Sequence, residues 1–150
     1  MKIAVLGAGH LGKIHIKILK SLPDFELLGF FDPDVELSRE LSKGLSVMAF
    51  DSMAELIEAT EVIDIVTPTL SHFECAKKAL LAGKHIFIEK PVTNTYAEAK
   101  ELMRIAEGID LKIQVGHVER FNPAFLAAKS YIEAPLFIET HRLSKYNLRG

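Results

Sequence analysis

Short, wholly apolar runs alternate along this chain with stretches whose apolar residues recur at helical spacing. Residues 2–6, KIAVL, form a continuous apolar run after one charge, the pattern of a strand buried on both faces of a parallel sheet. The next segment places Leu11, Ile14, Ile18, Leu19 and Leu22 on one helical face. A second strand is predicted over 26–31. A helix over 35–43, with Gly44 as its C-cap, and a short third strand over 45–50 follow. Ser52 with Glu55 opens a helix over 52–59, and 62–66 reads as a fourth strand. Ser71 with Glu74 reads as a capping box for a helix running to Ala82, closed by Gly83, and 85–88 is a fifth strand. Thr95 with Glu98 caps a helix whose inner face holds Ala99, Leu102, Met103 and Ala106; Gly108 breaks it, and 111–115 makes a sixth strand. This βαβα order predicts an α/β fold, a doubly wound parallel sheet of Rossmann type with right-handed crossovers.

The pattern changes after Gly116. Residues 116–123, GHVERFNP, are a polar loop or helix start, a helix is expected over 123–132, and 136–145 alternates as a half-exposed strand. Such a strand belongs to a second sheet, so the expected division is a dinucleotide-binding domain over 1–116 and the start of a second α+β domain over 117–150. No later segment is present to pair with that strand, so a truncated or fragmentary chain is expected. Its open edge is a candidate for homo-oligomer formation, a dimer for instance.

The chemistry concentrates at strand ends. Gly7-Ala8-Gly9-His10-Leu11-Gly12 follows a strand and opens a helix. In that context Gly7 permits the tight turn, Gly9 lets a pyrophosphate approach the backbone, and Gly12 allows close helix–strand packing. The helix N-terminus offers free N–H groups and the positive end of its dipole. Asp32 ends the second strand about twenty residues after Gly12, where a carboxylate accepts from the adenosine ribose hydroxyls and repels a 2′-phosphate, favouring NAD over NADP. Asp32-Pro33 also reads as an N-cap followed by proline at the first helical position. Glu89-Lys90-Pro91 closes the fifth strand, where ligands sit in open α/β sheets. Pro91 biases Lys90 towards extended backbone, so the ammonium can be aimed at a substrate hydroxyl or exchange a proton. A surface Glu–Lys pair closing a strand is the plainer alternative.

Composition bounds these readings. The 150 residues are 49% hydrophobic and carry a net charge of −2 without a basic run, so nucleic acid and acidic membrane surfaces are not expected partners. No apolar run approaches the length of a membrane span, and the N-terminus lacks a signal-peptide pattern. The single cysteine, Cys75, excludes an internal disulfide and packs as a small apolar residue; a cytoplasmic location is expected. The six histidines show no metal-site spacing, so no metal is expected.

Taken in order, these motifs resemble the N-terminal part of the glucose–fructose oxidoreductase/inositol dehydrogenase (Gfo/Idh/MocA) family. The resemblance rests on Gly7 to Gly12 with His15, Asp32, Thr67-Pro68 with His72, the run from Ala82 to Pro91, and Gly116 to Pro123. The last motif is most similar to members acting on UDP-N-acetylhexosamines. The resemblance implies NAD-dependent hydride transfer between a sugar, polyol or nucleotide-sugar CH–OH and nicotinamide. By position it implies that the Gly7–Gly12 backbone, including Ala8, His10 and Leu11, holds the pyrophosphate and Asp32 the ribose. Thr67, Pro68 and His72 would line the cofactor cleft, with Glu89 facing the nicotinamide ribose. Lys90 would reach that ribose and the reacting hydroxyl, as a buried cation beside the developing alkoxide. His117 and Arg120 would meet substrate. For His72 and His117, a satisfied polar residue at a strand end is the alternative to a site role. The family's principal acid/base histidine belongs to an Asp-x-x-x-His motif beyond Gly150, so the chain alone is expected not to turn over. Two other readings stand beside the enzyme: a non-catalytic NAD(H)-binding module or redox sensor, and a structural or interaction protein.

Overall fold

The computed structural model describes residues 1–141 and 143. Five parallel strands, β1 (Lys2–Leu6), β2 (Glu26–Phe31), β3 (Val62–Ile65), β4 (His85–Glu89) and β5 (Ile113–Gly116), form one sheet in the order β2-β1-β3-β4-β5. Helices α1 (His10–Ser21), α2 (Val35–Leu45), α3 (Met53–Ala59), α4 (Thr69–Leu81) and α5 (Tyr96–Ala106) connect them. The period-two alternation of strand side chains sorts the core into two layers. Ala4, Leu6, Ile63, Ile65, Ile86 and Ile88 pack with Leu56, Ala76, Leu80 and Leu102 from α3, α4 and α5. Ile3, Val5 and Val62 pack on the opposite face with Ile16 and Leu19 of α1 and with Phe30. The doubly wound parallel sheet is as the apolar runs predict.

Three local expectations are corrected. The third predicted strand, 45–50, is reduced to a single parallel bridge between Phe30 and Ala49, held by Phe30 N donating to Met48 O at 3.0 Å and Phe50 N donating to Phe30 O at 2.8 Å. The cause lies upstream. Helix α2 runs through Gly44 to Leu45 and turns at Ser46, whose φ is 50°, leaving too little chain for a ladder. Gly29 admits this segment, because a Cβ there would lie 2.5 Å from the Met48 carbonyl. The Ser71–Glu74 capping box does not form: Pro68 sits at the N-cap of α4, and Ser71 is already inside the helix. In α5 the Thr95–Glu98 box has both its bonds, Leu102 is buried, and Met103 is exposed.

The chain resolves into two compact units, Met1–His117 and Val118–Gly150. The second contains a 3-10 turn (Val118–Phe121) and helix α6 (Pro123–Lys129), capped by the Asn122 side chain on Ala124 N. The strand expected over 136–145 is absent at 136–141 and 143; positions 142, 144 and 145 lie outside the described residues. An isolated extended segment has no ladder to satisfy its backbone, and the described residues offer it none.

Candidate dinucleotide site

Strand order reverses at β1, which is flanked by β2 on one side and β3 on the other. Ligands of open α/β sheets bind at the carboxyl ends of strands at such a switch point. The loop from β1 to α1 lies there, and its glycines are fixed by contact. Gly7 adopts φ +95°, and a Cβ would lie 2.7 Å from the Val66 carbonyl oxygen and 2.8 Å from Thr67 N. A Cβ on Gly12 would collide with the Gly7 carbonyl. Gly9 differs: no heavy atom lies within 4 Å of a Cβ built there. Gly9 is the N-cap of α1 and has no side chain to cap it, so the first N–H groups of the helix are not satisfied from there. A backbone cradle with one open side and an uncapped helix N-terminus suits an anionic diphosphate. Ala8 is fully buried and contributes only its backbone, while His10 and Leu11 are exposed in the first turn.

Asp32 is tied to this loop. Its Oδ2 accepts from Ala8 N at 2.7 Å and its Oδ1 from Asp34 N at 3.0 Å. The N-cap of α2 is Asp34, whose Oδ1 accepts from Leu37 N, so the capping alternative for Asp32 is overturned. A carboxylate has about four lone-pair sites, so both oxygens of Asp32 retain capacity for hydroxyl donors.

At the other strand ends, His72 is 1% exposed. Its Nδ1 lies 2.8 Å from Pro91 O and its Nε2 2.9 Å from Thr67 O, so the ring clasps the segments that follow β3 and β4. Both ring nitrogens are engaged by backbone, so His72 shapes the cleft and offers no free nitrogen to a ligand. The Thr67 hydroxyl is buried, and its interaction with the Cys75 thiol pulls that thiol's pKa down against the larger upward effect of burial. Lys90-Pro91 is a cis peptide. Glu89 and Lys90 do not pair with each other through their side chains. The Glu89 carboxylate lies over Gly116 of β5, where a Cβ would come within 2.5 Å of Oε1. The Lys90 ammonium makes no hydrogen bond or ion pair among the described residues and is exposed, not buried as expected. The plain surface-pair reading therefore lacks its pair. His117 ends the first unit, its N–H bonded to Val115 O at 2.8 Å, and Arg120 belongs to the second.

One pair escaped the sequence reading. His15 Nδ1 on α1 lies 2.8 Å from Asp64 Oδ2, and His15 Nε2 lies 3.7 Å from Glu89 Oε1. Asp64 is 3% exposed, and its Oδ1 has no partner among the described residues. The Asp64 hydrogen bond raises the pKa of His15 above its ordinary value, against the opposing effect of burial. Burial raises that of Asp64, with His15 pulling it down. The readable signal was a lone carboxylate in the strand VIDI, every residue of which is buried. Cys75 is buried and free, as expected. No helix among the described residues is long and apolar enough to cross a membrane, and none of them form a group of three or more side chains suited to a metal ion.

Sheet order, glycine cradle and acidic second-strand end together define a dinucleotide-binding Rossmann domain. The chain belongs to the GFO_IDH_MocA oxidoreductase family, whose NAD-binding Rossmann-fold profile matches residues 1–117. It is 35% identical over 151 residues to UDP-N-acetylglucosamine 3-dehydrogenase of Acidithiobacillus ferrooxidans, covering 100% of this chain and 48% of that protein. It is 33% identical over 138 residues to the NAD(+)-dependent scyllo-inositol 2-dehydrogenase of Bacillus subtilis, covering 89% and 40%. A solved structure of the Acidithiobacillus enzyme superposes with a TM-score of 0.81 over 87% of this chain and 43% of that one. Apo scyllo-inositol dehydrogenase from Lactobacillus casei gives 0.79 at 27% identity, over 87% and 40%. The chain thus spans less than half the length of these relatives.

Proposed function

We propose that this protein is an NAD-dependent dehydrogenase acting on the CH–OH of a sugar, polyol or nucleotide sugar, with a UDP-N-acetylhexosamine as the first candidate. The observation that carries the reading is the open cradle at Gly9, tied through Ala8 to Asp32, in a loop whose Gly7 packs against the residues that follow β3. Gly7, Gly9 and Gly12 with the backbone of Ala8, His10 and Leu11 hold the pyrophosphate, and Asp32 accepts from the ribose and disfavours a 2′-phosphate. Thr67 and Pro68 line the cleft. Glu89 accepts from the nicotinamide ribose. When bound, nicotinamide supplies a hydride acceptor. Lys90, unpaired at the strand end, binds the reacting hydroxyl and stabilises its oxygen as negative charge develops. His117 and Arg120 contact substrate, and the segment from 117 onward begins a second, substrate-binding domain. The narrower substrate choice draws support from the 35% identity to a UDP-N-acetylglucosamine dehydrogenase, which extends through the whole of this chain.

The test is NADH formation by the intact protein with UDP-N-acetylglucosamine or a cyclitol, repeated with Lys90→Ala. Turnover lost in the variant while NADH still binds is expected. Undiminished turnover contradicts the role of Lys90. Binding without turnover on any sugar, polyol or nucleotide sugar makes the protein a non-catalytic NAD(H)-binding module.

A further inference from the structure

We infer that His15 is a positioning residue for the nicotinamide half of the cofactor site, presenting an N–H to Glu89 from a ring anchored on buried Asp64. The inference rests on the dinucleotide reading above and adds a residue to it. Three elements meet at this point: α1 brings His15, β3 brings Asp64, and β4 brings Glu89 with Phe87. The imidazole is 2.8 Å from Asp64 Oδ2 through Nδ1 and 3.7 Å from Glu89 Oε1 through Nε2, with its centroid 5.9 Å from that of Phe87. Glu89 is confined from its other side by β5, where Gly116 leaves just enough room for the carboxylate.

The direction of control follows from proton placement. While His15 and Asp64 share one proton beyond the imidazole's own, Nε2 carries a hydrogen whichever side of the 2.8 Å bond that proton occupies. Glu89 then faces a donor and is held. Once that proton leaves, the remaining N–H stays on Nδ1 against the Asp64 carboxylate, and Nε2 turns a lone pair towards Glu89. Attraction becomes repulsion, in a site where water screens weakly. Glu89 is then pushed from the position in which it meets the nicotinamide ribose. The adenosine side, built on Asp32 and the glycine loop, feels none of this. The other titratable residues lining the groove beside His15 are His85, Lys112 and Met1, whose ammonium donates to Asp24 O at 3.0 Å; next to Glu89, Lys90 donates its backbone N–H to Glu89 Oε2 at 3.2 Å. His85 starts β4 and Glu89 ends it, roughly 13 Å apart at strand rise. Its Nδ1 is occupied by Lys112 N–H at 3.0 Å.

Titrations of the whole chain with NADH and with ADP, which lacks the nicotinamide ribose, between about pH 7 and pH 9.5 test this, with His15 ordinarily near pH 6.5 and here raised. The expected result is a loss of NADH affinity with rising pH of about three- to fivefold, the scale of one partly buried ion pair. ADP affinity should stay flat, and the NADH slope should vanish in both His15→Gln and Glu89→Gln. ADP binding by each variant serves as its control for correct folding. A flat NADH profile in the unaltered chain overturns the positioning role and leaves the dinucleotide reading intact, as does a slope that survives in His15→Gln or in a folded Glu89→Gln. Failure of both ligands to bind at any pH overturns both.

Discussion

His15 and Asp64, 49 residues apart in sequence, lie 2.8 Å apart across the interface between α1 and β3. The contact fastens the first helix, which carries the glycine loop at its start, to the centre of the sheet. Asp64 is the one charged residue of the fully buried strand VIDI, so its carboxylate depends on this bond. Asp64→Ala should lower the unfolding free energy by about 2–3 kcal/mol, from the lost bond and the buried space left behind. Asp64→Asn keeps a hydrogen-bonding group of the same shape and should lose about half as much. Urea unfolding of the three chains checks both values.

The same pair makes stability depend on pH. The folded-state pKa of His15 is raised, so its contribution is fully present below the unfolded value, about 6.5, and is lost as pH rises through the folded one. The stability difference between the unaltered chain and His15→Gln should therefore be largest near pH 6 and shrink towards about pH 9. A difference that grows with pH over this range would assign the opposite sign to the pair.

Gly7 and Gly9 separate folding from binding. Gly7→Ala must place a Cβ at φ +95° against the Val66 carbonyl, and should destabilise the fold by about 2 kcal/mol or more. Gly9→Ala meets no protein atom, and its φ of −62° suits any residue, so its stability cost should stay under about 1 kcal/mol. Its added methyl instead fills the space offered to the pyrophosphate, and NADH affinity should fall about tenfold or more. Thermal unfolding and NADH titration of the two variants read out the contrast.

Asp32 couples the loop to cofactor choice. Asp32→Ala removes acceptors from Ala8 N and from the ribose hydroxyls together, and should weaken NADH binding about tenfold or more. It also removes the charge that repels a 2′-phosphate, so the preference for NADH over NADPH should narrow. Parallel titrations with the two dinucleotides measure the ratio.

What the sequence made legible was whatever is local. β1, its glycine loop and the existence of α1 follow from one contiguous pattern, although the helix buries Gly12, Ile16 and Leu19 and leaves Leu11, Ile14, Ile18 and Leu22 exposed; the Thr95–Glu98 box is a four-residue signal that forms as read. The third strand failed because the mostly apolar stretch 45–50 does not say whether the helix before it will stop. Helix α2 continued through Gly44 and consumed its start. Ser71–Glu74 failed because Pro68, three positions earlier, had already begun the helix. The His15–Asp64–Glu89 contact joins three elements, and no short-range pattern encodes it. Only the lone Asp64 inside VIDI hinted that a partner must exist. For His72 the sequence offers both a cleft-lining role and that of a satisfied polar residue at a strand end, and its carbonyl partners, the Thr67 and Pro91 backbones, one of them beyond β4, are what no local pattern names.

The central claim is that the cradle between Gly7 and Gly12 binds a dinucleotide. Calorimetric titration of NADH into this chain tests it most directly, with Gly9→Ala as the control that keeps the fold. Saturable binding in the micromolar range, about −8 kcal/mol, that weakens about tenfold in Gly9→Ala is the predicted result. No saturable binding up to about 1 mM, or binding indifferent to Gly9→Ala, would contradict it.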